Sequence, residues 1–428
     1  MASPSLSDIE NAFQPAREVD DAERFAGRRS AVTDAHYALV GQGANVAVVG
    51  NRGIGKTSLA RQIGNIARGD TALLDRLGIA HDRALDFLTV YFACGTTVRD
   101  VEDLLERLLT TSSCLGDWIY DVPKAKKEIE TYRPKLSAKI FGVGAELEGV
   151  KSTERELTAA LDAHSIDTVF TNVCHAIAAQ KVARDGVLIV VDEFDQVRDP
   201  AGMAGLLKSI ATNVPEVKFC LVGVARDIQN LMREHESADR LFAGSIVHLP
   251  AMSEDELAEI VRIAERAVDG QILFSEAATR RLTQLAQGHP YMVHLVGKYA
   301  LRAAYQDGVF DIPEAAIDQA LRSIAERAAD PVLEGRYKKA VGSSQQREIV
   351  LRALAQVRSH DGECWTTDAY KLALDAGVDN SSQYVGQLVT EQYGAELENV
   401  RERYYRFNDS LFAAYALARP RLFASLTG

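Results

Sequence analysis

Apolar residues fall along the chain in two rhythms. Short continuous runs, NVAVVG at 45–50, DFLTVYFACG at 86–95, GVLIVVDEFD from Gly186 and VKFCLVGVA from Val217, have the length and β-branched content of strands buried on both faces. Between them the apolar positions recur at helical spacing: Leu59, Ile63 and Ile66 after the first run, and Val98, Val101, Leu104, Leu105 and Leu108 after the second. Buried strands alternating with amphipathic helices predict an α/β fold, a parallel sheet covered by helices on both faces.

The pattern breaks twice. At about 113–165 a long interruption with Trp118, the charged KAKKEIETYRPK and the weakly alternating KIFGVGAELEGV reads as an insertion with a hairpin-like segment. After Pro250 the character becomes helical. Ser253 and Glu256 have the spacing of a capping box, Leu257, Ile260, Val261 and Ala264 form one stripe, and two or three further helices run to about residue 330. Beyond it, a helix at about 345–358, a second starting near Thr366, a third over Asn380 to Gln392 and the strand-like LENVRERYYRFND follow the order of a winged helix. The expected division is a sheet core over 1–250, an α-helical lid over 251–330 and a winged-helix domain over 331–428.

At 428 residues the chain exceeds what one hydrophobic core serves, which supports several domains. Apolar residues are 47% and charged residues 25%, the balance of a soluble globular protein. No apolar run approaches the roughly 20 residues that cross a bilayer, and MASPSLSDIENAF lacks a signal pattern. A cytoplasmic protein without a membrane partner is the expectation. Cys94, Cys114, Cys174, Cys220 and Cys364 are odd in number and widely spaced, so they read as reduced structural thiols. The formal net charge of −12 opposes broad binding to nucleic acid.

The chemistry begins at the end of the first apolar run. Gly50-Asn51-Arg52-Gly53-Ile54-Gly55-Lys56-Thr57, with Ser58 behind it, matches GxxxxGK[ST], a P-loop whose backbone N–H groups and following helix N-terminus surround phosphates. Lys56 is expected to reach the β and γ phosphates of ATP, and the Thr57 hydroxyl to ligate Mg²⁺. A chance match is the competing reading, weakened by the strand before the motif and the helix after it. The run at 187–191 ends in Asp192-Glu193, where the aspartate can hold the Mg²⁺ shell and the glutamate can polarise the attacking water. A strand ending in acids is common, but downstream of a P-loop it points to hydrolysis. With no NKxD segment, ATP is favoured over GTP.

The order of Phe25-Ala26-Gly27-Arg28-Arg29, the P-loop, the acidic strand end, GVARD at 223–227, HESADR at 235–240 and GHPY at 288–291 resembles the signal-transducing (STAND) branch of AAA+-like ATPases related to origin-recognition initiators. The resemblance covers about residues 13–328 and, more loosely, the C-terminal region. It implies that Arg226 senses the γ-phosphate, that Arg240 is an arginine finger acting on a neighbouring subunit, that Pro290 of Gly288-His289-Pro290 is the lid's nucleotide-side proline, and that Arg28 stands at the adenine wall. For Arg226 and Arg240 the competing reading is a solvated arginine or a structural ion pair, and for Arg28 a structural turn. The initiators' asparagine before the lid is missing here, which favours the signal-transducing branch.

The region 331–428 is formally neutral, and its third helix carries no Lys or Arg. Only Arg401, Arg403 and Arg406, beside Tyr404 and Tyr405, suit a phosphate backbone. The sequence therefore favours an ATP-binding and ATP-hydrolysing switch that controls its own assembly or a protein partner. A DNA-binding initiator or loader is the alternative.

Overall fold

The computed structural model describes residues 4–41, 45–132, 165–224, 242–359 and 362–423. Helix α1 (Leu6–Ala12) is followed by an extended strap and a tight turn, then by α2 (Arg29–Val40). Next come β1 (Val46–Gly50), α3 (Lys56–Ala67), the short α4 (Ala72–Arg76), β2 (Phe87–Ala93) and α5 (Val101–Thr110). The described start of the insertion is an irregular turn at Ser112–Gly116, kinked at Cys114 (φ −117°, ψ −141°), that leads into the helices α6 (Asp117–Asp121) and α7 (Pro123–Tyr132). The segment KIFGVGAELEGV lies outside the described residues. Helix α8 (Ile166–Ala179), β3 (Gly186–Asp192), α9 (Met203–Asn213), β4 (Val217–Gly223) and β5 (Ile246–Leu249) complete the core.

The five strands form one parallel sheet in the order β2-β3-β4-β1-β5. The pleat divides its side chains between two apolar layers. Val187, Ile189 and Val191 pack with α5, α8 and α9, whereas Leu188 and Val190 pack with α2, α3 and α4. Every residue of β3 and of β4 is buried, which is why both read as continuous apolar runs. Strand β5 escapes the apolar pattern because it is four residues long with exposed His248 in its middle.

Beyond the sheet, α10 (Glu254–Ala267), β6 (Leu273–Phe274), α11 (Glu276–Ala286), α12 (Pro290–Asp307), β7 (Asp311–Ile312) and α13 (Glu314–Glu326) form a helical layer. The capping box is present: the Ser253 side chain accepts from Glu256 N–H, and the Glu256 carboxylate accepts from Ser253 N–H. That carboxylate also accepts Arg28 N–H at 2.7 Å, while Glu259 accepts Gly27 N–H at 2.9 Å. The turn at 25–28 is thereby fastened to α10. Gly27 has φ 58°, and a Cβ there would lie 2.7 Å from Glu256 Cγ, so only glycine closes this contact.

The C-terminal region contains α14 (Pro331–Val341), α15 (Gln345–Gln356), β8 (Glu363–Trp365), α16 (Thr366–Asp375), α17 (Ser381–Leu388), β9 (Leu397–Arg401), β10 (Tyr404–Phe407) and α18 (Ser410–Ala418). β8, β10 and β9 form a small antiparallel sheet. The helix expected over Asn380 to Gln392 stops at Leu388 and gives way to a 3₁₀ turn at Glu391–Tyr393. Two helices lie outside the sequence expectation. α14 is interrupted by Gly335 in its middle, and α18 (SLFAAYALA) is apolar on all sides, so neither shows a clean amphipathic period. The physical reason for α18 is burial on every face, from Leu411 to Ala416 without a break. Among the described residues no helix is long and apolar enough to cross a membrane.

One apolar cluster runs without interruption from α1 through helices α10–α13 to α18, joining Phe13, Leu257, Val293 and Leu301 to Tyr337, Leu354 and Phe412. Fully buried Phe412 stands in that shared core. Phe412→Ala is expected to lower stability by about 3–5 kcal/mol and to loosen α12 and α18 together, read as faster amide exchange in both helices. Acceleration confined to α18 would mean that the two regions are separate cooperative units.

Candidate functional site

Parallel sheets gather ligand sites at the carboxyl ends of their strands, and β1, β4 and β3 end side by side here. The loop leaving β1 turns on glycines. Gly53 has φ 68° and Gly55 φ 98°, while a Cβ on Gly50 would come within 3.0 Å of the Leu249 carbonyl oxygen. Gly55 is the N-cap of α3 and offers no side chain, so the first N–H groups of that helix have no side-chain cap, and its dipole is positive at the loop. Lys56 Nζ donates to the Asn51 carbonyl at 3.0 Å. Burial pushes the ammonium pKa down, and the nearby carboxylates of Asp195, Asp192 and Glu193 pull it back up.

At the end of β3, Asp192 is 2% exposed. Its Oδ1 accepts Glu193 N–H at 2.8 Å and its Oδ2 accepts the Tyr91 hydroxyl at 2.5 Å. Glu193 stands exposed in the left-handed region, φ 53° and ψ 39°, a conformation uncommon for a side chain of this kind. Partial burial, then Asp192 and Asp195, hold its carboxyl above the usual carboxylate range. A 3₁₀ turn, Phe194–Gln196, brings Asp195 beside Gly223 at the end of β4, where a Cβ would lie 3.2 Å from Asp195 Oδ1.

These groups open into one cleft of about 910 Å³ between the sheet edge and the helical layer. Residues 52–58 form its floor, with Asp192, Glu193 and Asp195 at one end. The strap, Gln14 to Val19, and the turn that contains Phe25, Ala26 and Arg28 form one wall, and Met252, Ile260, Pro290, Tyr291 and His294 form the other. Pro290 is the first residue of α12, and Gly55 faces it so closely that a Cβ would be 4.0 Å from Pro290 Cγ.

Several residues expected from the sequence have structural duties in addition to facing the cleft. Arg28, 6% exposed, donates from its guanidinium to the carbonyls of Pro250 at 2.6 Å and Ile54 at 2.9 Å, so it braces the turn against the P-loop. Ser58 Oγ accepts Val19 N–H at 3.1 Å and pins the strap to α3. The Ile54 side chain is buried in the core behind the loop. Asn51 and Arg52 are exposed at the rim. Arg226 and Arg240 lie outside the described residues.

Asp195, Tyr291, His294 and the strap line the cleft without having been expected there, and Tyr91 reaches it only through its hydrogen bond to Asp192. Asp195 carries a weak signal, a third acid two residues after Glu193. Tyr91 becomes visible only through strand register, because it lies opposite Val190 on the neighbouring strand. Buried His289 has an Nδ1 without a partner among the described residues. Gln14 N–H donates to His294 Nδ1 at 3.3 Å, which leaves the ring proton on Nε2.

The family model described as Novel STAND NTPase 1 matches residues 12–308. No curated protein matches the chain. Among solved structures, a Walker-type ATPase of Pyrococcus abyssi is similar with a TM-score of 0.52 at 16% identity, covering 95% of this chain and 99% of that one. The ORC2 protein of Aeropyrum pernix gives 0.46 at 14% identity, with 97% of each chain covered. Cdc6p of Pyrobaculum aerophilum gives 0.45 at 12%, covering 97% of this chain and 98% of that one. At such identities the likeness to the Pyrococcus protein speaks for the fold alone.

The two histidines of the helical layer generate a pH dependence. Burial pushes His289 and His294 down to about 4, with Arg358 adding to the first and Arg24 to the second. In the unfolded chain a histidine gains its proton near pH 6.5, so their contribution is complete above that value and declines as pH falls toward 4. The loss is up to about 1.4 kcal/mol per pH unit for each histidine. Urea midpoints measured between pH 7 and pH 5 are expected to fall, and to fall less steeply in His294→Gln. Equal slopes would mean that His294 is not held neutral.

Proposed function

The chain belongs to the novel STAND NTPase 1 family, and on that premise we propose that it is an ATP-driven switch whose cleft binds and hydrolyses ATP. The observation that carries this reading is the convergence of Lys56 and Thr57 with Asp192 and Glu193 in a single cleft at the carboxyl edge of the sheet. The amides of residues 53–58 and the Lys56 ammonium bind the phosphate groups, and the strap and Pro290 hold the base side. The missing NKxD segment favours adenine over guanine.

The donor set fits Mg²⁺, which takes one or two carboxylates together with phosphate oxygens and water. Thr57 Oγ1 and the Asp192 carboxylate would hold it, and the ion, when bound, neutralises charge on the β and γ phosphates. Glu193 accepts the proton of the attacking water, a role suited by a carboxyl held above its usual range. The expected division at about 250 and 330 then separates a hydrolytic core from a lid and a winged-helix-like unit that respond to it.

The switch reading is supported by a contact between distant parts of the chain. Leu411 of α18 lies against the P-loop, so close that a Cβ on Gly53 would be 2.8 Å from Leu411 Cδ2. Tyr291, on the cleft wall, donates to Asp330, the N-cap of α14, at 2.6 Å. Rearrangement of the loop around phosphate therefore bears on the C-terminal region, which would present or withhold a surface for a second copy or a protein partner. The DNA-binding alternative is the weaker one. Arg401 and Arg406 of the hairpin are both paired with Glu363, at 2.7 and 3.2 Å, which lowers their value for phosphate contacts.

Lys56→Ala is expected to weaken ATP binding about 100-fold, the equivalent of two charge-assisted contacts, as read by calorimetry. Glu193→Gln should keep that affinity and slow phosphate release about 100-fold or more. Wild-type turnover in the Gln variant would move the proton acceptor elsewhere, with Asp195 the next group to substitute.

A further inference from the structure

The acid at the end of β3 has both carboxylate oxygens engaged by donors of the protein itself. Glu193 N–H donates to Asp192 Oδ1 and the Tyr91 hydroxyl to Oδ2, at 2.8 and 2.5 Å. Tyr91 reaches it because β2 runs parallel beside β3 with Tyr91 opposite Val190, so its side chain shares a sheet face with Asp192 two residues on. The ring is covered in turn by α3, whose Arg61 guanidinium carbon stands 3.7 Å from the ring centroid. Arg61 pairs with Glu18 at 3.0 Å. Glu18 belongs to the strap on the cleft wall, and that strap is held to α3 by Ser58 and by Gln62, whose Nε2 donates to the carbonyls of Val19 and Asp20.

A carboxylate turns easily about its terminal torsion, which is broad and roughly two-fold. Two donors at fixed positions, one on β2 and one just after β3, remove that freedom and leave one lone-pair direction on each oxygen for a further partner. We propose that Tyr91 is a positioning residue for the metal-facing carboxylate, and that the chain Glu18, Arg61, Tyr91, Asp192 ties the strap on the base side of the cleft to its metal side. This rests on the nucleotide reading of the cleft given above. Partners of this kind, one bond removed from a metal, change metal affinity about 10–100-fold when lost.

The test uses the full chain and a fluorescent ATP analogue, with affinity followed as Mg²⁺ is titrated. Tyr91→Phe keeps the ring under Arg61 and deletes only the hydroxyl. Its affinity without Mg²⁺ is expected to equal that of the parent, while the Mg²⁺ concentration giving half the gain rises about tenfold. Glu18→Gln should move the midpoint in the same direction by less and add nothing in the double variant, because it acts through Tyr91. The same Glu18→Gln measurement serves if Tyr91→Phe fails to fold, an unchanged midpoint there overturning the coupling. If Asp192→Ala abolishes the Mg²⁺ effect and Tyr91→Phe leaves the midpoint in place, Tyr91 has no positioning role and the nucleotide reading stands. If Mg²⁺ has no effect on the parent protein, both fall together.

Discussion

Burial of β3 and β4 on both faces is the constraint from which the rest of the core follows. A strand covered above and below cannot carry a hydrated charge along its length, so polar chemistry is displaced to the end of the strand. Lys218 is the exception that obeys the same rule. Its ammonium is buried within β4 but donates to the carbonyls of Ala38 and Leu39 at the end of α2, where backbone partners replace water. At the carboxyl edge no such exception is needed, and Gly50, Asp192 and Gly223 come out side by side.

That edge concentrates like charges. Three carboxylates, Asp192, Glu193 and Asp195, lie near one half-buried ammonium, an arrangement that mutual repulsion among the acids does not favour by itself. Backbone geometry enforces it: the left-handed residue at Glu193 turns the chain sharply, and the 3₁₀ turn after it returns Asp195 to the sheet. A non-glycine residue in that conformation costs on the order of 1 kcal/mol or more, and such strain collects at functional sites. Polyphosphate with its cation would add both signs of charge to this cluster.

The helical layer beyond the sheet is bound on two sides by different physics. Toward the core the fastening is polar, two backbone N–H groups of the turn at 27–28 on two carboxylates of α10. Toward the C-terminus it is apolar and continuous, so that α12 and α18 share one core. The two regions that share this core form one packed body, and well-packed interiors transmit displacement rather than absorb it. The Leu411 contact on Gly53 gives that body a direct bearing on the phosphate loop.

The sequence by itself determined the parts governed by local pattern. Continuous apolar runs gave the central strands, helical spacing gave α3, α5 and α10, and the glycines of the P-loop announced a backbone that must turn through positive φ. The acids at 192 and 193 were legible because strand ends are where a buried strand can place them. Tertiary structure decided what depends on neighbours distant in the chain. Tyr91 meets Asp192 only through the register of β2 against β3, the strap meets the cleft only because Ser58 and Gln62 hold it, and Arg28 is drawn into bracing by the carbonyls of Ile54 and Pro250. α18 lacks an amphipathic period because it is buried on every side, and that burial comes from packing against α11, α14 and α15, all distant in the chain. Periodicity records which face of an element meets water, and it is silent where no face does.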